Sequence, residues 1–426
     1  MKRGIRQHLF LTTTAACLLS AMSGDAHAQQ ASETLEPYQM IRSLQYVQDT
    51  VVMGDHSAGE MQRFMLTALD KRLRNINPKV FEDPRNVDAA LIYAMSGGNP
   101  ATLEFLVARD VGGNFDTRVG DVLRKYLAGR GLMVAKTLTA MVPEYQNQRI
   151  GPYLALVAGN VMVARDANEA LRFYTAARLA APGTIIEEAA LRRSVAIAVE
   201  KDMPEQGIRF ARQYARRFIH SPYASQFADL FVSLVVKHYG VITQDDVDGA
   251  LEVMSDDRAQ AIYLRIARQA AIDGKTELAR EASLRAKERG GDTPTPGSSV
   301  AKLYGGVANL SAGEVGKATE AIDAVPEDQL SAQDRALRAA AQRVAEEVTR
   351  PPSNVSLEQV SADTVANQIS AEQTSALPGH DGAGSNAAGS AAASASAPTL
   401  ESGVKSFIDK GRSSLSAVDD LLKKDK

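Results

Sequence analysis

The sequence predicts an all-α protein, a helical array of antiparallel helix pairs with degenerate tetratricopeptide-like repeats, followed by a disordered linker and a short C-terminal helix. Apolar residues recur at helical rather than alternating spacing from about residue 33 to residue 348. Glycine and proline pairs interrupt this pattern at intervals, as at Gly97-Gly98 and Pro182-Gly183. From about Pro351 the composition changes to serine, alanine and glycine. These observations divide the chain into four parts: 1–28, 29–350, 351–400 and 401–426.

Residues 1–28 have the features of a secretory signal peptide. Three basic residues precede an apolar run over 9–22, and Ala26-His27-Ala28 supplies the small residues that signal peptidases require. The run is shorter than the roughly 20 residues that span a bilayer. We therefore expect cleavage between Ala28 and Gln29 and a periplasmic location for the mature protein.

The single cysteine and the net charge narrow the function further. Cys17 lies inside the signal segment, so the mature chain would have no disulfide, thiol nucleophile or cysteine metal site. A lipoprotein anchored through Cys17 is the alternative, although Thr14 stands where such a site would carry leucine. The net charge of −3 argues against nucleic acid as a partner. No later stretch is long and apolar enough to span a membrane after signal removal.

Residues 29–350 are predicted to form a helical binding domain. One helix-turn-helix unit has its turn at 165–168. The first helix has an apolar stripe of Leu154, Val157, Ala158 and Val161, and the second has one of Ala170, Tyr174 and Ala177. Three later helix starts resemble this one, and together they place four small residues at equivalent positions: Ala170, Gly207, Ala279 and Ala318. The gap between Gly207 and Ala279 corresponds to about two units. An irregular helical domain is the alternative. Both interpretations predict a surface for binding rather than for chemistry.

Three helix starts are predicted from local signals. Ser57 with Glu60 and Thr184 with Glu187 have the spacing of capping boxes, in which a hydroxyl and a carboxylate satisfy free backbone N–H groups. Ser221-Pro222 places proline where a first helical turn tolerates it.

The chain carries no recognisable catalytic or metal-binding motif. There is no nucleophile elbow or phosphate-binding glycine loop, and no pair of histidines has the spacing of metal ligands. We predict no enzyme activity, no catalytic residue, no metal, no cofactor and no small-molecule substrate.

The helix that begins near Pro204 separates aromatic residues from arginines. Phe210, Tyr214 and Phe218 are four residues apart, as expected for a stripe in the core. The opposite side carries candidate partner-binding arginines, namely Arg209, Arg212, Arg216 and Arg217. Such a basic face suits an acidic partner, and a solvated helix face is the alternative.

The C-terminal part is predicted to be a tethered amphipathic helix. Residues 351–400 contain too few apolar side chains to offset the entropy of ordering. In 401–426 the apolar residues follow the seam of a coiled coil, and the candidate partner-binding positions are Val404, Ile408, Leu415, Val418 and Leu422. Such a short helix must pack on a partner or on its own array.

Four stretches resemble one known family. They lie at 35–45, 90–100, 151–160 and 215–223, and they include Leu35-Glu36-Pro37-Tyr38-Gln39-Met40, Ser96-Gly97-Gly98-Asn99-Pro100, Gly151-Pro152-Tyr153-Leu154 and His220-Ser221-Pro222-Tyr223. The chain resembles the MotC family of periplasmic motility proteins over roughly 33–345. The resemblance implies a protein that supports flagellar rotation by binding the periplasmic part of the MotB stator subunit. A general tetratricopeptide-like envelope scaffold is the alternative.

Export predicts a defined N-terminus. We expect the mature protein to begin at Gln29, because Ala26-His27-Ala28 directly follows the apolar run. Intact-mass spectrometry of periplasmic material measures this start, and a lipid on Cys17 would contradict it.

Overall fold

The structure is a computed structural model that describes residues 35–291, 296–311 and 313–351. Within these ranges it consists of 17 α-helices without a β-strand, so the all-α prediction is confirmed. The signal segment 1–28 and the predicted C-terminal helix lie outside the described residues, as does the linker beyond Pro351. The first six helices are α1 (Pro37–Val52), α2 (Ala58–Asn75), α3 (Pro84–Met95), α4 (Pro100–Ala108), α5 (Thr117–Leu127) and α6 (Ala135–Tyr145).

The remaining helices form successive units, each with a first and a second helix. They are α7 (Gly151–Met162), α8 (Ala167–Ala180), α9 (Ile185–Glu200), α10 (Pro204–Phe218), α11 (Ala224–Lys237), α12 (Gln244–Leu251), α13 (Asp256–Ile272), α14 (Thr276–Gly290), α15 (Pro296–Ser311), α16 (Val315–Asp323) and α17 (Ala332–Thr349). Helices α7 and α8, α9 and α10, α13 and α14, and α15 and α16 pack as pairs. The short α12 packs on α10, and the row α9, α11, α13, α15, α17 stacks in order.

The four predicted equivalent positions are structurally equivalent. Ala170, Gly207, Ala279 and Ala318 are each the fourth residue of the second helix in a unit, and all are buried. Val247 is the fourth residue of α12 and is also buried, so α11 and α12 supply the unit missing between Gly207 and Ala279. A small side chain at this position lets the paired helices approach closely.

The α7–α8 pair shows how closely two helices approach. Ala158 and Ala170 are fully buried, as the repeat pattern predicts. A Cβ atom on Gly159 would lie 2.4 Å from a ring carbon of Tyr174. That ring is buried, and its hydroxyl donates to Asn160 Oδ1 at 2.9 Å. Gly159 therefore leaves the space that the Tyr174 ring occupies.

Helix α9 belongs to both hydrophobic cores of the described chain. Ile186 and Ala190 pack in the core formed by α1 to α9. Leu191 and Val195 pack in the core that runs on to α17, and Val52 of α1 joins them there. Helix α9 therefore packs on both the N-terminal helices and the repeat units.

A buried carboxylate fastens α9 to α10. The fully buried Glu188 accepts from Arg192 Nε at 2.9 Å and from the Tyr214 hydroxyl at 2.8 Å. Burial, followed by the charge of Glu188, raises the pKa of Tyr214. Removing Arg192 or Tyr214 would leave the buried Glu188 carboxylate without that partner. Separating α9 from α10 is therefore costly in free energy.

The helix-start predictions are only partly confirmed. Helix α2 begins directly after Ser57, but the capping box is wrong, because the Ser57 hydroxyl donates to Asp55 at 2.5 Å and caps no helical N–H. Thr184 caps α9 by accepting from the Ile186 N–H, whereas the Glu187 carboxylate accepts from Gly183 N–H at 2.6 Å.

The third predicted helix start, at Ser221-Pro222, does not coincide with the observed one. Helix α11 begins at Ala224 rather than at Ser221-Pro222. The Ser221 hydroxyl instead accepts from the Tyr223 N–H at 3.2 Å and closes a turn before the helix.

The close approach of α7 and α8 predicts opposite results for two glycines. We expect Gly159→Ala to lower the free energy of unfolding by about 1–3 kcal/mol, because the new methyl group displaces a buried ring. Gly59→Ala is the control, because a Cβ there meets nothing within 4 Å. That variant should be neutral or gain up to about 0.5–1 kcal/mol, the advantage of alanine over glycine within a helix. Urea unfolding of both variants measures this, and equal stabilities would contradict the packing argument.

Candidate functional site

A groove of about 830 Å³ lies between the N-terminal helices and the first repeat unit. Its walls come from α1, α3, the start of α7 with the residues before it, and the segment that joins α8 to α9. Three of the four stretches that carry the family resemblance contribute to this lining, through residues such as Ile41, Ile92 and Tyr153. These three side chains are buried. We call this site the N-terminal groove.

Two aspartates in the groove are half-buried and poorly satisfied. Asp49 accepts one hydrogen bond, from the Ile185 N–H at 3.0 Å. Asp88 accepts none from the residues that the structure describes. Burial raises the pKa of both carboxyls. The Ile185 N–H opposes the shift at Asp49, and the charge of Arg149 opposes it at Asp88.

Arginines surround these carboxylates without pairing with them. Arg42 and Arg149 are exposed, and neither forms an ion pair within the described ranges. Arg85 is already engaged, since its guanidinium pairs with Asp83 at 2.6 Å and lies 4.1 Å from the centre of the Tyr38 ring. The groove lining therefore combines two half-buried carboxylates, three arginines and buried apolar side chains.

A second groove of about 840 Å³ lies along α11 and α13. It also contains charged residues, but most of these are mutually compensated. Arg265 pairs with Asp229, and Lys237 pairs with Asp202 at 2.8 Å. Lys275 donates to the carbonyl of Val236 at the end of α11. The N-terminal groove differs because its carboxylates lack such partners.

The candidate arginine face of α10 divides into two kinds of residue. Arg212 pairs with Asp246 of α12 at 3.0 Å, and Arg217 pairs with Glu187 of α9 at 2.6 Å. These two arginines fasten α10 to its neighbours. Arg209 and Arg216 are exposed and form no ion pair in the described part of the chain. Only these two keep their charge fully available for a partner.

Two of the three aromatic residues of α10 lie in the core, as predicted. Tyr214 and Phe218 are fully buried, and the Tyr214 ring stacks on Phe227 with centroids 4.2 Å apart. Phe210 is half-buried at the boundary between the two cores.

Other predicted features are located as follows. Among the described residues no cluster of histidine, cysteine and carboxylate side chains is arranged to hold a metal ion. No helix in the same ranges has the length and apolar character needed to cross a bilayer. The remaining candidate residues lie outside the described residues: Ala28, Gln29, Val404, Ile408, Leu415, Val418 and Leu422.

The two groove aspartates were not among the residues that the sequence singled out. Asp88 carries a usable signal, because it is the single acid of the otherwise mainly apolar helix α3. Asp49 carries none, since its partner Ile185 is 136 residues away in the sequence. A contact between residues so far apart in the sequence leaves no periodic pattern from which it could be predicted.

Comparison with known proteins places these features in a family. The family model described as Chemotaxis protein MotC matches residues 1–426. The Chemotaxis protein MotC of Rhizobium meliloti (strain 1021) is 49% identical over 404 residues, which cover 92% of this chain and 93% of that relative. No solved structure matches the chain. The chain therefore belongs to the MotC family.

Proposed function

We propose that this chain is a non-enzymatic periplasmic protein that supports flagellar rotation by binding the periplasmic part of the MotB stator subunit. The observation that carries the proposal is the match to the MotC family along the whole chain. The relative that is 49% identical is named as a chemotaxis protein. Paired helices stacked in successive units suit such a role, because they present an extended surface to a protein partner.

Periplasmic action rests on the sequence of the first 28 residues. Their basic start, apolar run and Ala26-His27-Ala28 ending are typical of a signal peptide. Export would bring the helical domain to the compartment that contains the periplasmic part of MotB.

The proposed role predicts a specific motility defect. Deleting the gene should abolish or slow swimming in soft agar while leaving flagellar filaments visible by electron microscopy. A plasmid copy of the full gene should restore swimming. Loss of filaments or a defect of the cell wall would instead favour a general envelope scaffold.

The exposed arginines of α10 predict how binding depends on charge. We expect Arg209→Glu with Arg216→Glu to weaken binding to the purified periplasmic region of MotB by about tenfold at low salt, and less at high salt, because exposed charges are screened. Arg212 and Arg217 are left intact, since their ion pairs hold α10 in place. Titration calorimetry at two salt concentrations measures the effect.

The control for this pair is Arg124→Glu. Arg124 is an exposed arginine of α5 without an ion pair in the described ranges. Equal effects of the control and the double variant, or unchanged binding by a folded double variant, would exclude the α10 face as the docking surface.

A further inference from the structure

The groove along α11 and α13 has an excess of positive charge, and we call it the α11–α13 groove. Its lining contains twice as many cations as acids: Lys237, Arg265, Arg268 and Lys275 against Asp229 and Asp273. Both acids are exposed, whereas Arg265, Arg268 and Lys275 are half-buried. The interior of this groove is therefore more positive than its rim.

Arg268 has no acid at hydrogen-bond distance. Its Nε atom is buried without a hydrogen-bond partner, and the Oδ1 atom of Asp334 lies 3.6 Å from it. The Asp334 carboxylate already accepts from the hydroxyls of Tyr304 and Ser331, at 2.6 Å each. Arg268 donates no hydrogen bond within the described ranges, so its guanidinium can still pair with an added carboxylate.

The other two half-buried cations are only partly compensated. Arg265 pairs with Asp229, whose side chain is 61% exposed. Burial lowers the pKa of Arg265, so this exposed carboxylate does not offset the desolvation of the guanidinium. Lys275 donates to the carbonyl oxygens of Val236 and Lys237, which are dipoles rather than charges. The positive charge of the interior therefore remains.

Buried apolar side chains lie beside these cations. Val232 and Val236 are buried and one helical turn apart on α11, and both line the groove. A guanidinium forms its strongest hydrogen bonds with a carboxylate, which can accept two at once. The α11–α13 groove therefore suits a carboxylate that has an apolar side chain next to it.

We propose that the α11–α13 groove binds an acidic segment of a partner protein. A glutamate or aspartate carboxylate of the segment pairs with Arg268, and an adjacent apolar side chain packs on Val232 and Val236. The occupant follows from charge complementarity, because the lining has more cations than acids and Arg268 has no acid at hydrogen-bond distance. The proposal rests on the partner-binding function proposed above and adds a surface and the chemistry that it recognises.

The test compares two capped pentapeptides by NMR titration of the full mature chain. One has glutamate between two leucines and terminal serines, and the other has glutamine in place of glutamate. We expect the glutamate peptide to bind about tenfold more tightly, the gain from one charge-assisted pair, and Arg268→Met to abolish this preference. Equal binding of the two peptides to the wild-type chain, or binding of neither, overturns the proposal.

The matched control is Arg178→Met. Arg178 is also half-buried and its Nε atom is also buried without a hydrogen-bond partner, but it lies on α8 outside the α11–α13 groove. This variant should keep the preference for the glutamate peptide. Loss of the preference in both variants would overturn the proposal, because the effect would then not belong to the groove.

A second variant covers the case in which Arg268→Met does not fold. Ser233 is an exposed residue of the groove lining, so Ser233→Asp adds a competing carboxylate without removing a packed side chain. It should weaken binding of the glutamate peptide about tenfold and that of the glutamine peptide much less. Unchanged binding by the folded Ser233→Asp variant overturns the proposal.

Inorganic phosphate tests for a site that takes any anion. Phosphate carries negative charge but no apolar part that could cover the two valines. An equimolar amount should therefore leave the glutamate peptide bound. Displacement of the peptide by equimolar phosphate would overturn the assignment to a protein segment.

The purified periplasmic region of MotB separates failure of the groove from failure of the proposed function. Binding that Arg268→Met weakens about tenfold, and Arg178→Met does not, supports both. A preference for the glutamate peptide without any MotB binding supports the groove and overturns MotB as the partner. MotB binding that Arg268→Met leaves unchanged overturns the groove as the surface for that partner.

Discussion

The first turn of α9 is the constraint on which the rest of the structure depends. The Ile185 N–H has no helical acceptor and donates to Asp49, which clips α1 to the repeat units. One turn later, Glu188 joins α9 to Tyr214 of α10. Because the same helix packs in both hydrophobic cores, its position sets the N-terminal helices against all later units. The N-terminal groove exists where these two parts meet.

The N-terminal groove contains two half-buried carboxylates with few hydrogen-bond partners. The Asp49 and Ile185 pair satisfies a helix terminus, yet burial still raises the pKa of Asp49. Asp88 accepts no hydrogen bond within the described ranges, whereas Arg212 pairs with Asp246. We propose that the exposed arginines of α10 steer an acidic partner.

Much of the fold could be predicted from the sequence because it depends on local periodicity. Ala170, Gly207, Ala279 and Ala318 recur at matching helix positions because each permits close helix packing. The site was less predictable. An arginine exposed on one helix is indistinguishable in sequence from one that pairs with the next, as Arg209 and Arg212 illustrate. The pairing of Asp49 with Ile185 depends on how distant helices meet, which no spacing rule records.

The most direct measurement is amide hydrogen exchange of the mature chain, alone and with saturating MotB periplasmic region. The account predicts slower exchange on binding in α10, since this helix presents the exposed Arg209 and Arg216 to the partner. Protection confined to other helices, with α10 unaffected, would contradict the account.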